Sequence, residues 1–191
     1  MLAIDQIEWT QKMEKAISSE ADNSLKFAFR SEEEKVNELV ELIRTPNLSK
    51  ADMRTLESLI VTDVHSRDVT QEIMELNVRD TSIFEWISQL RHYTGLEESG
   101  RVKKVTRFEI KISMINSTRL YGFEYQGSQT RLVITPLTDR CYRTLMGALQ
   151  MNLGGAPEGP AGTGKTETTK DLAKALAKQC LVFNCSDQID V

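Results

Sequence analysis

The sequence predicts a mixed α/β fold, in which a helical front half is followed by a small antiparallel sheet and then by the first part of a parallel α/β unit. Three observations support this prediction. Apolar residues recur at helical spacing up to about Tyr93, apolar and polar residues alternate after Arg101, and a glycine-rich phosphate-binding pattern occupies residues 159–166. A length of 191 residues allows one domain of moderate size or parts of two.

The composition is typical of a globular protein and argues against two classes of partner. Apolar residues make up 40% of the chain and charged residues 27%, and no apolar run is long enough to cross a bilayer. The net charge of −4 argues against a general nucleic-acid binder, because such domains usually carry a concentrated positive field. We therefore expect neither a membrane nor a nucleic acid as a partner.

The cysteines and histidines predict neither a disulfide framework nor a zinc site. Cys141, Cys180 and Cys185 are odd in number and lack paired C-x-x-C spacing. His65 and His92 are isolated, and we expect them to be surface or packing residues. A basic cluster is expected to be a solvated strand edge, and it comprises Arg101, Lys103, Lys104 and Arg107.

The front half of the chain shows helix-start and helix-stop signals between its apolar stripes. Pro46 ends one predicted helix, and Ser49 is the predicted N-cap of the next, whose pattern breaks around residues 65–68. Ser82 and Glu85 have the spacing of a capping box ahead of a further helix. We expect these stripes to form the core of a helical segment.

Three short strands and a helix are predicted next. Residues 107–114 alternate apolar and polar side chains, Asn116-Ser117 reads as a turn, and residues 121–125 and 131–135 complete an antiparallel meander. Residues 139–152 then predict a helix, and its inward face comprises Tyr142, Leu145, Met146 and Leu149.

The pattern G-x-x-x-x-G-K-[ST] is matched at every fixed position. The predicted phosphate-binding loop comprises Gly159, Pro160, Ala161, Gly162, Thr163, Gly164, Lys165 and Thr166. Its glycines can adopt positive φ, so that successive N–H groups point at anionic oxygens. Lys165 supplies a cation to the β and γ phosphates, and Thr166 offers a hydroxyl to Mg²⁺. The positive dipole end of the following helix adds to this attraction.

The surroundings of the loop predict the second part of a βαβ unit. Residues 166–180 read as a helix and 181–183 as a buried strand, whereas the preceding segment 153–157 contains a proline and is expected to be short or irregular. Asp187 is a candidate Mg²⁺ ligand beyond the second strand. The alternative is that Asp187 belongs to a polar loop and hydrogen-bonds the local backbone.

Residues 131–187 closely resemble the start of the first AAA+ module of dynein heavy chains. The resemblance rests on PLTDRCY at 136–142, GPAGTGKTET at 159–168 and FNCSD at 183–187. Upstream, FEWISQLR at 84–91 and INSTRLYGFEYQG at 115–127 resemble the end of the linker that precedes that module, although residues 92–95 depart from the usual continuation. The resemblance implies that residues 1–130 are the C-terminal part of a linker and that 131–191 begin an incomplete AAA+ module.

The resemblance also implies a function. In such motors ATP, with Mg²⁺, binds between the first and second modules of a ring and drives the linker swing that produces minus-end-directed movement along a microtubule. By position, Leu137 and Thr138 would lie beside the adenine together with Pro136. The family's catalytic acidic pair and arginine finger would lie beyond Val191, so we assign no catalytic residue and expect this piece to bind ATP without hydrolysing it alone.

The implied partners are microtubules and the dynein intermediate and light chains, reached through the full-length chain. The wording at 156–158 and 178–180 is similar to axonemal forms, which implies the cytoskeleton of a cilium or flagellum, on its cytoplasmic side. Two alternatives stay open. One is a truncated, non-enzymatic interaction module of a dynein complex, and the other is a small P-loop kinase that uses Asp187.

Overall fold

The computed structural model describes residues 2–21, 23–99, 104–127 and 129–184, and the side chains of 96–99 and 104–108 are not described. Its elements are α1 Leu2–Ile17, α2 Ser24–Ile43, α3 Lys50–Glu75, α4 Phe84–Ile87, β1 Arg91–Ser99, β2 Lys104–Met114, β3 Ser117–Leu120, α5 Pro136–Gln150 and α6 Lys165–Ala175. This order of helices, sheet and helices confirms the mixed α/β class. Among the described residues, no helix is long and apolar enough to span a membrane.

Helices α1, α2 and α3 pack around a core that also contains the short helix α4. Trp9 and the fully buried Trp86 lie at its centre, with ring centroids 5.3 Å apart. The other buried members of this core are Met13, Ala16, Ile17, Leu25, Ala28, Val69, Ile73 and Val78. The expectation that the helical stripes form a core is therefore confirmed for most of their residues, but Ile4, Met53 and Leu76, which also belong to the stripes, are exposed.

The helix signals were right for α2 and at the start of α3. Helix α2 ends at Ile43, ahead of Pro46, and the Ser49 side chain accepts a hydrogen bond of 3.1 Å from the Asp52 N–H. The break predicted at 65–68 is wrong, because α3 continues through it. Ser66 and Thr70 face the core here, and the Thr70 hydroxyl donates to the Ser66 carbonyl at 2.7 Å, so polar residues fit a buried helix face.

The capping box predicted at Ser82 and Glu85 is also wrong. The N-cap of α4 is Ile83, which has no side-chain oxygen, and no side chain caps this helix. The Ser82 hydroxyl instead donates to Asp80 at 2.6 Å. The Ser82 hydroxyl therefore forms a hydrogen bond within a local turn and does not cap the helix, as the sequence pattern had predicted it would.

The sheet is an antiparallel meander in the order β1-β2-β3, as predicted, but only its middle strand was correctly placed. In β2, Ile110, Ile112 and Met114 are buried, which confirms the alternation. The strands that pair with β2 are residues 91–99 and 117–120, so the strands predicted at 121–125 and 131–135 are wrong. The prediction of helical structure up to Tyr93 is also wrong, because β1 begins at Arg91. The turn lies at residues 115–116, one residue before the predicted position.

Residues 122–127 and 129–132 leave the sheet after the Tyr121 N–H donates to the Ile110 carbonyl of β2 at 2.9 Å, and three of their N–H groups bind α6 or its C-terminal end. The Gly122 N–H donates to the Leu176 carbonyl at 2.8 Å, and the Glu124 N–H donates to the Ala177 carbonyl at 3.0 Å. The Leu132 N–H donates to the Asp171 carboxylate at 2.9 Å. These contacts satisfy backbone groups that a strand would have paired within a sheet.

A second core joins the sheet to α5 and α6, and it is formed by Ile112, Met114, Tyr142, Met146, Leu172 and Leu176, with Leu145 and Leu149 packed against it. The inward face predicted for α5 is therefore confirmed. Helix α5 begins at Pro136, three residues earlier than predicted, because Thr135 and Thr138 form a capping box. Helix α6 ends at Ala175, ahead of Ala177, which has a φ of 48°.

The buried strand predicted at 181–183 is wrong. Leu181 is 69% exposed and Phe183 is 81% exposed, and the segment is not a strand. Among the described residues, the only sheet is β1-β2-β3, which leaves 181–183 without a parallel neighbour. Residues 153–157 are irregular, as expected.

The remaining expectations concern the basic cluster, Cys185 and Asp187, and the two histidines. Arg101, Lys103, Cys185 and Asp187 lie outside the described residues, as do the side chains of Lys104 and Arg107. His92 is buried and His65 is half-buried, as expected for packing residues. Burial lowers the pKa of each imidazole to about 4.

Candidate functional site

The phosphate-binding pattern forms a loop whose glycines have positive φ. Gly162 and Gly164 lie in the left-handed region, at 78° and 81°, and Gly159 has a φ of 152°. A Cβ at Gly162 or Gly164 would meet no atom within 4 Å, so it is the backbone conformation and not the available space that requires glycine there. The motif therefore produces the curled backbone that its glycines predict.

Helix α6 begins directly at the end of this loop. Gly164 is its N-cap, and the Gly164 carbonyl accepts hydrogen bonds from the Thr168 N–H at 2.8 Å and the Thr168 hydroxyl at 2.9 Å. The first N–H groups of an α-helix have no partner within the helix and carry the positive end of its dipole. The loop is thus followed by a set of donors suited to an anion.

The ammonium group of Lys165 lies over the loop. Its Nζ donates to the Gly159 carbonyl at 2.7 Å and to the Pro160 carbonyl at 2.5 Å. In the part of the chain that the structure describes, Lys165 forms no ion pair. Neutral carbonyls are weaker partners for an ammonium than phosphate oxygens, so this cation is available to a phosphate.

One wall of a cleft of about 450 Å³ is formed by the loop and the other by the start of α5. Gly159, Pro160, Thr163 and Lys165 line the first wall, and Leu137 and Thr138 line the second. The walls approach closely at Gly155, where a Cβ would lie 2.3 Å from a Leu145 methyl carbon. The volume is within the range of small-molecule sites.

The structure does not bring every predicted site residue to this cleft. Ala161, Gly162, Gly164 and Thr166 are exposed and do not line it, and Pro136 lines a different cavity beside His65. The roles of Thr166 in binding Mg²⁺ and of Leu137 and Thr138 beside adenine stay predictions. The loop N–H groups and Lys165 fit a polyphosphate chemically.

A buried ionic cluster behind the cleft was missed by the sequence analysis. Asp171, on α6, is fully buried and accepts two hydrogen bonds from the Arg131 guanidinium at 3.0 Å, one at each oxygen. The Tyr142 hydroxyl also donates to Asp171. A signal existed in the sequence, since Asp171 is adjacent to Leu172 and precedes Ala175 by one turn, which places a charge on the apolar face of α6.

The cluster holds its charges near neutral pH. Burial acts to raise the pKa of Asp171, but Arg131 and the hydrogen bonds outweigh it and the pKa lies below its usual value. Burial acts to lower the pKa of Arg131, and Asp171 raises it above its usual value. Burial and the Asp171 charge raise the pKa of the Tyr142 hydroxyl, which therefore remains a donor.

Comparison with known proteins places this site in a family. Residues 121–191 match the family model described as "Hydrolytic ATP binding site of dynein motor region". Human dynein axonemal heavy chain 3 is 50% identical over 190 residues, which is 100% of this chain and 4% of that protein. Mouse dynein axonemal heavy chain 12 is 48% identical over 190 residues, which is 100% of this chain and 6% of that protein.

A third relative gives the same picture. Mouse dynein axonemal heavy chain 1 is 48% identical over 182 residues, which is 95% of this chain and 4% of that protein. The chain thus spans only 4% to 6% of the length of these curated relatives. Because the similarity covers the whole of this chain and its ATP-site segment matches the family model, the chain belongs to the dynein heavy chain family.

Proposed function

We propose that the chain supplies the phosphate-binding half of the ATP site of an axonemal-type dynein motor. The observation that carries the proposal is the cleft, in which Lys165 lies on one wall and Leu137 and Thr138 on the other. Such an arrangement suits a ligand with a polyphosphate at one end and an apolar ring at the other. The description of the matched family supports ATP as that ligand.

In this proposal each part of the site has a separate task. The loop N–H groups and Lys165 bind the phosphates, and Leu137 and Thr138 contact the adenine. Thr166 would hold Mg²⁺ through its hydroxyl, and the ion would neutralise charge on the bound phosphates. No residue of this chain is assigned to bond cleavage, so the described part of the site binds and orients ATP.

The proposal extends to the larger motor. Residues 1–130 are the end of the linker, and residues 131–191 are the start of the first AAA+ module, whose ATP cycle drives linker swing and minus-end-directed movement. The proposed partners are microtubules and the intermediate and light chains, in the axoneme of a cilium or flagellum. Support comes from the relatives, which are named as axonemal dynein heavy chains.

Calorimetric titration of the chain with ATP and Mg²⁺ tests the proposal. We expect ATP to bind to the unmodified chain, and Lys165→Ala to weaken binding about tenfold or more, because a charge-assisted hydrogen bond contributes about 1.5–3 kcal/mol. Lys170→Ala is the matched control, since Lys170 lies on the same helix and pairs with the exposed Glu167 at 2.7 Å. Equal losses in both variants, or no ATP binding by the unmodified chain, would refute the assignment.

Turnover is a second readout. We expect negligible ATP hydrolysis by this chain alone, because no catalytic base or arginine finger is assigned within it. Phosphate release at ordinary enzymatic rates that is abolished by Lys165→Ala would contradict this expectation. It would favour a small P-loop kinase or NTPase that uses a carboxylate such as Asp187.

A further inference from the structure

Asp171 connects the two walls of the cleft from behind. It lies on α6, one turn after Thr168, and Thr168 lines the cleft. Asp171 itself does not line the cleft. Any effect of this carboxylate on a ligand must therefore act through the elements that it holds.

The partners of Asp171 lie on both sides of the second wall. Arg131 and the Leu132 N–H belong to the segment that leads into α5, and Tyr142 lies on α5, one turn after Thr138. One carboxylate thus fixes the segment before Leu137 and the helix after it. The first wall, formed by the phosphate-binding loop, and the second wall are therefore both attached to this buried carboxylate.

The geometry of the anchor is restrictive. Asp171 is completely buried and the Arg131 side chain is only 10% exposed. The Asp171 oxygens accept from the guanidinium at 3.0 Å and from the Leu132 N–H at 2.9 Å, and Tyr142 occupies a further acceptor site. A planar, bidentate arginine–carboxylate contact fixes the orientation of the two groups as well as their distance. A lysine cannot form such a contact.

We propose that Asp171 is a positioning residue that sets the separation of the two walls, and so determines affinity for ligands that span both walls but not for ligands that occupy the phosphate loop alone. The inference rests on the proposed function. Inorganic tripolyphosphate with Mg²⁺ is the probe for the loop alone, and ATP with Mg²⁺ is the probe for both walls. A purely structural role would change the two affinities by the same factor.

The experiment uses the full-length chain that carries these residues and measures both affinities by calorimetry. Asp171→Asn keeps the size of the side chain and removes its charge, and we expect ATP binding to weaken about tenfold or more, since displaced binding groups lose affinity steeply. Tripolyphosphate binding should be unchanged. Arg131→Lys should behave like Asp171→Asn, because the charge remains and the two-pronged contact is lost.

Two further variants guard against unfolding as an explanation. Tyr142→Phe removes one hydrogen bond and keeps the ring in the core, and it should give the same selective loss at a smaller size. Glu32→Gln is the matched control, because Glu32 is 1% exposed and pairs with Lys12 at 2.6 Å in the helical region away from the cleft. It should leave both affinities unchanged.

The outcomes separate the inference from the proposed function. An unmodified chain that binds neither ligand overturns the proposed function and the inference with it. If the unmodified chain binds both ligands, equal losses in Asp171→Asn, no loss at all, or the same selective loss in Glu32→Gln overturns the inference alone. An unmodified chain that binds ATP no more tightly than tripolyphosphate also overturns it, because the second wall then contributes nothing.

Discussion

Gly122→Ala is expected to destabilise the chain, because it places an atom inside the contact between residues 121–124 and α6. A Cβ at Gly122 would lie 2.4 Å from the Ala177 carbonyl oxygen and 2.8 Å from Lys178 Cγ. The nearest atom belongs to the backbone, so it cannot rotate away as a side chain would. The segment must therefore move away from the end of the helix.

The cost follows from the hydrogen bonds that this movement breaks. The Gly122 N–H donates to the Leu176 carbonyl at 2.8 Å, and the Glu124 N–H donates to the Ala177 carbonyl at 3.0 Å. Two backbone hydrogen bonds at about 1 kcal/mol each give a loss of about 2 kcal/mol in the free energy of unfolding. Urea denaturation followed by circular dichroism measures this loss.

Gly147→Ala is the matched control. Gly147 lies inside α5, and a Cβ there would meet no atom within 4 Å. Alanine is a better helix former than glycine, so this variant should gain about 0.5–1 kcal/mol. A Gly122→Ala variant as stable as the unmodified chain, or a shift of stability in the same direction in both variants, would contradict the predicted clash.

Two other perturbations test the helical region. Burial and the neighbouring Asp5 carboxyl raise the pKa of Asp63 to about 7 against the opposing effect of Lys35, so the folded state holds a proton that the unfolded state loses above its usual pKa of 3.8. This group therefore contributes stability at low pH that is lost as the pH rises from about 4 to about 7. Asp63→Asn should make the melting temperature fall less steeply over this pH range. An unchanged slope would contradict the argument from burial. Ser49→Ala removes the N-cap of α3 and should lower the free energy of unfolding by about 1 kcal/mol, measured by urea denaturation. Ser82→Ala should cost less, because Ser82 caps no helix. Equal costs would show that the hydrogen bond from the Asp52 N–H to Ser49 is not stabilising.

The features that the sequence predicted correctly depend on neighbouring residues. The Ser49 cap acts on the N–H three residues later, and the alternation in β2 follows from the two faces of a strand. The curled loop depends on glycines at 159, 162 and 164, which can adopt positive φ whatever surrounds them. Residues 131–187 also carried enough of the motif to identify the family.

Most of the errors concern residues whose environment lies far along the chain, and Ser82, whose hydroxyl binds the nearby Asp80, is an exception. Residues 121–125 have the alternation of a strand, but the Gly122 and Glu124 N–H groups bind the end of α6. Residues 91–93 continue a helical pattern, but the His92 N–H donates to the Thr10 hydroxyl of α1, and this segment pairs with β2. Residues 181–183 have strand propensity and no neighbouring strand among the described residues.

The sequence by itself determined the phosphate loop, the central strand, the main helices and the family, because each rests on short-range geometry or on a distinctive motif. Only the tertiary structure decided which strands flank β2, that Leu137 and Lys165 line one cleft, and that Asp171 anchors both of its walls. The cleft and the Asp171 anchor join residues tens of positions apart. Their energy comes from packing and from hydrogen bonds that no local pattern encodes.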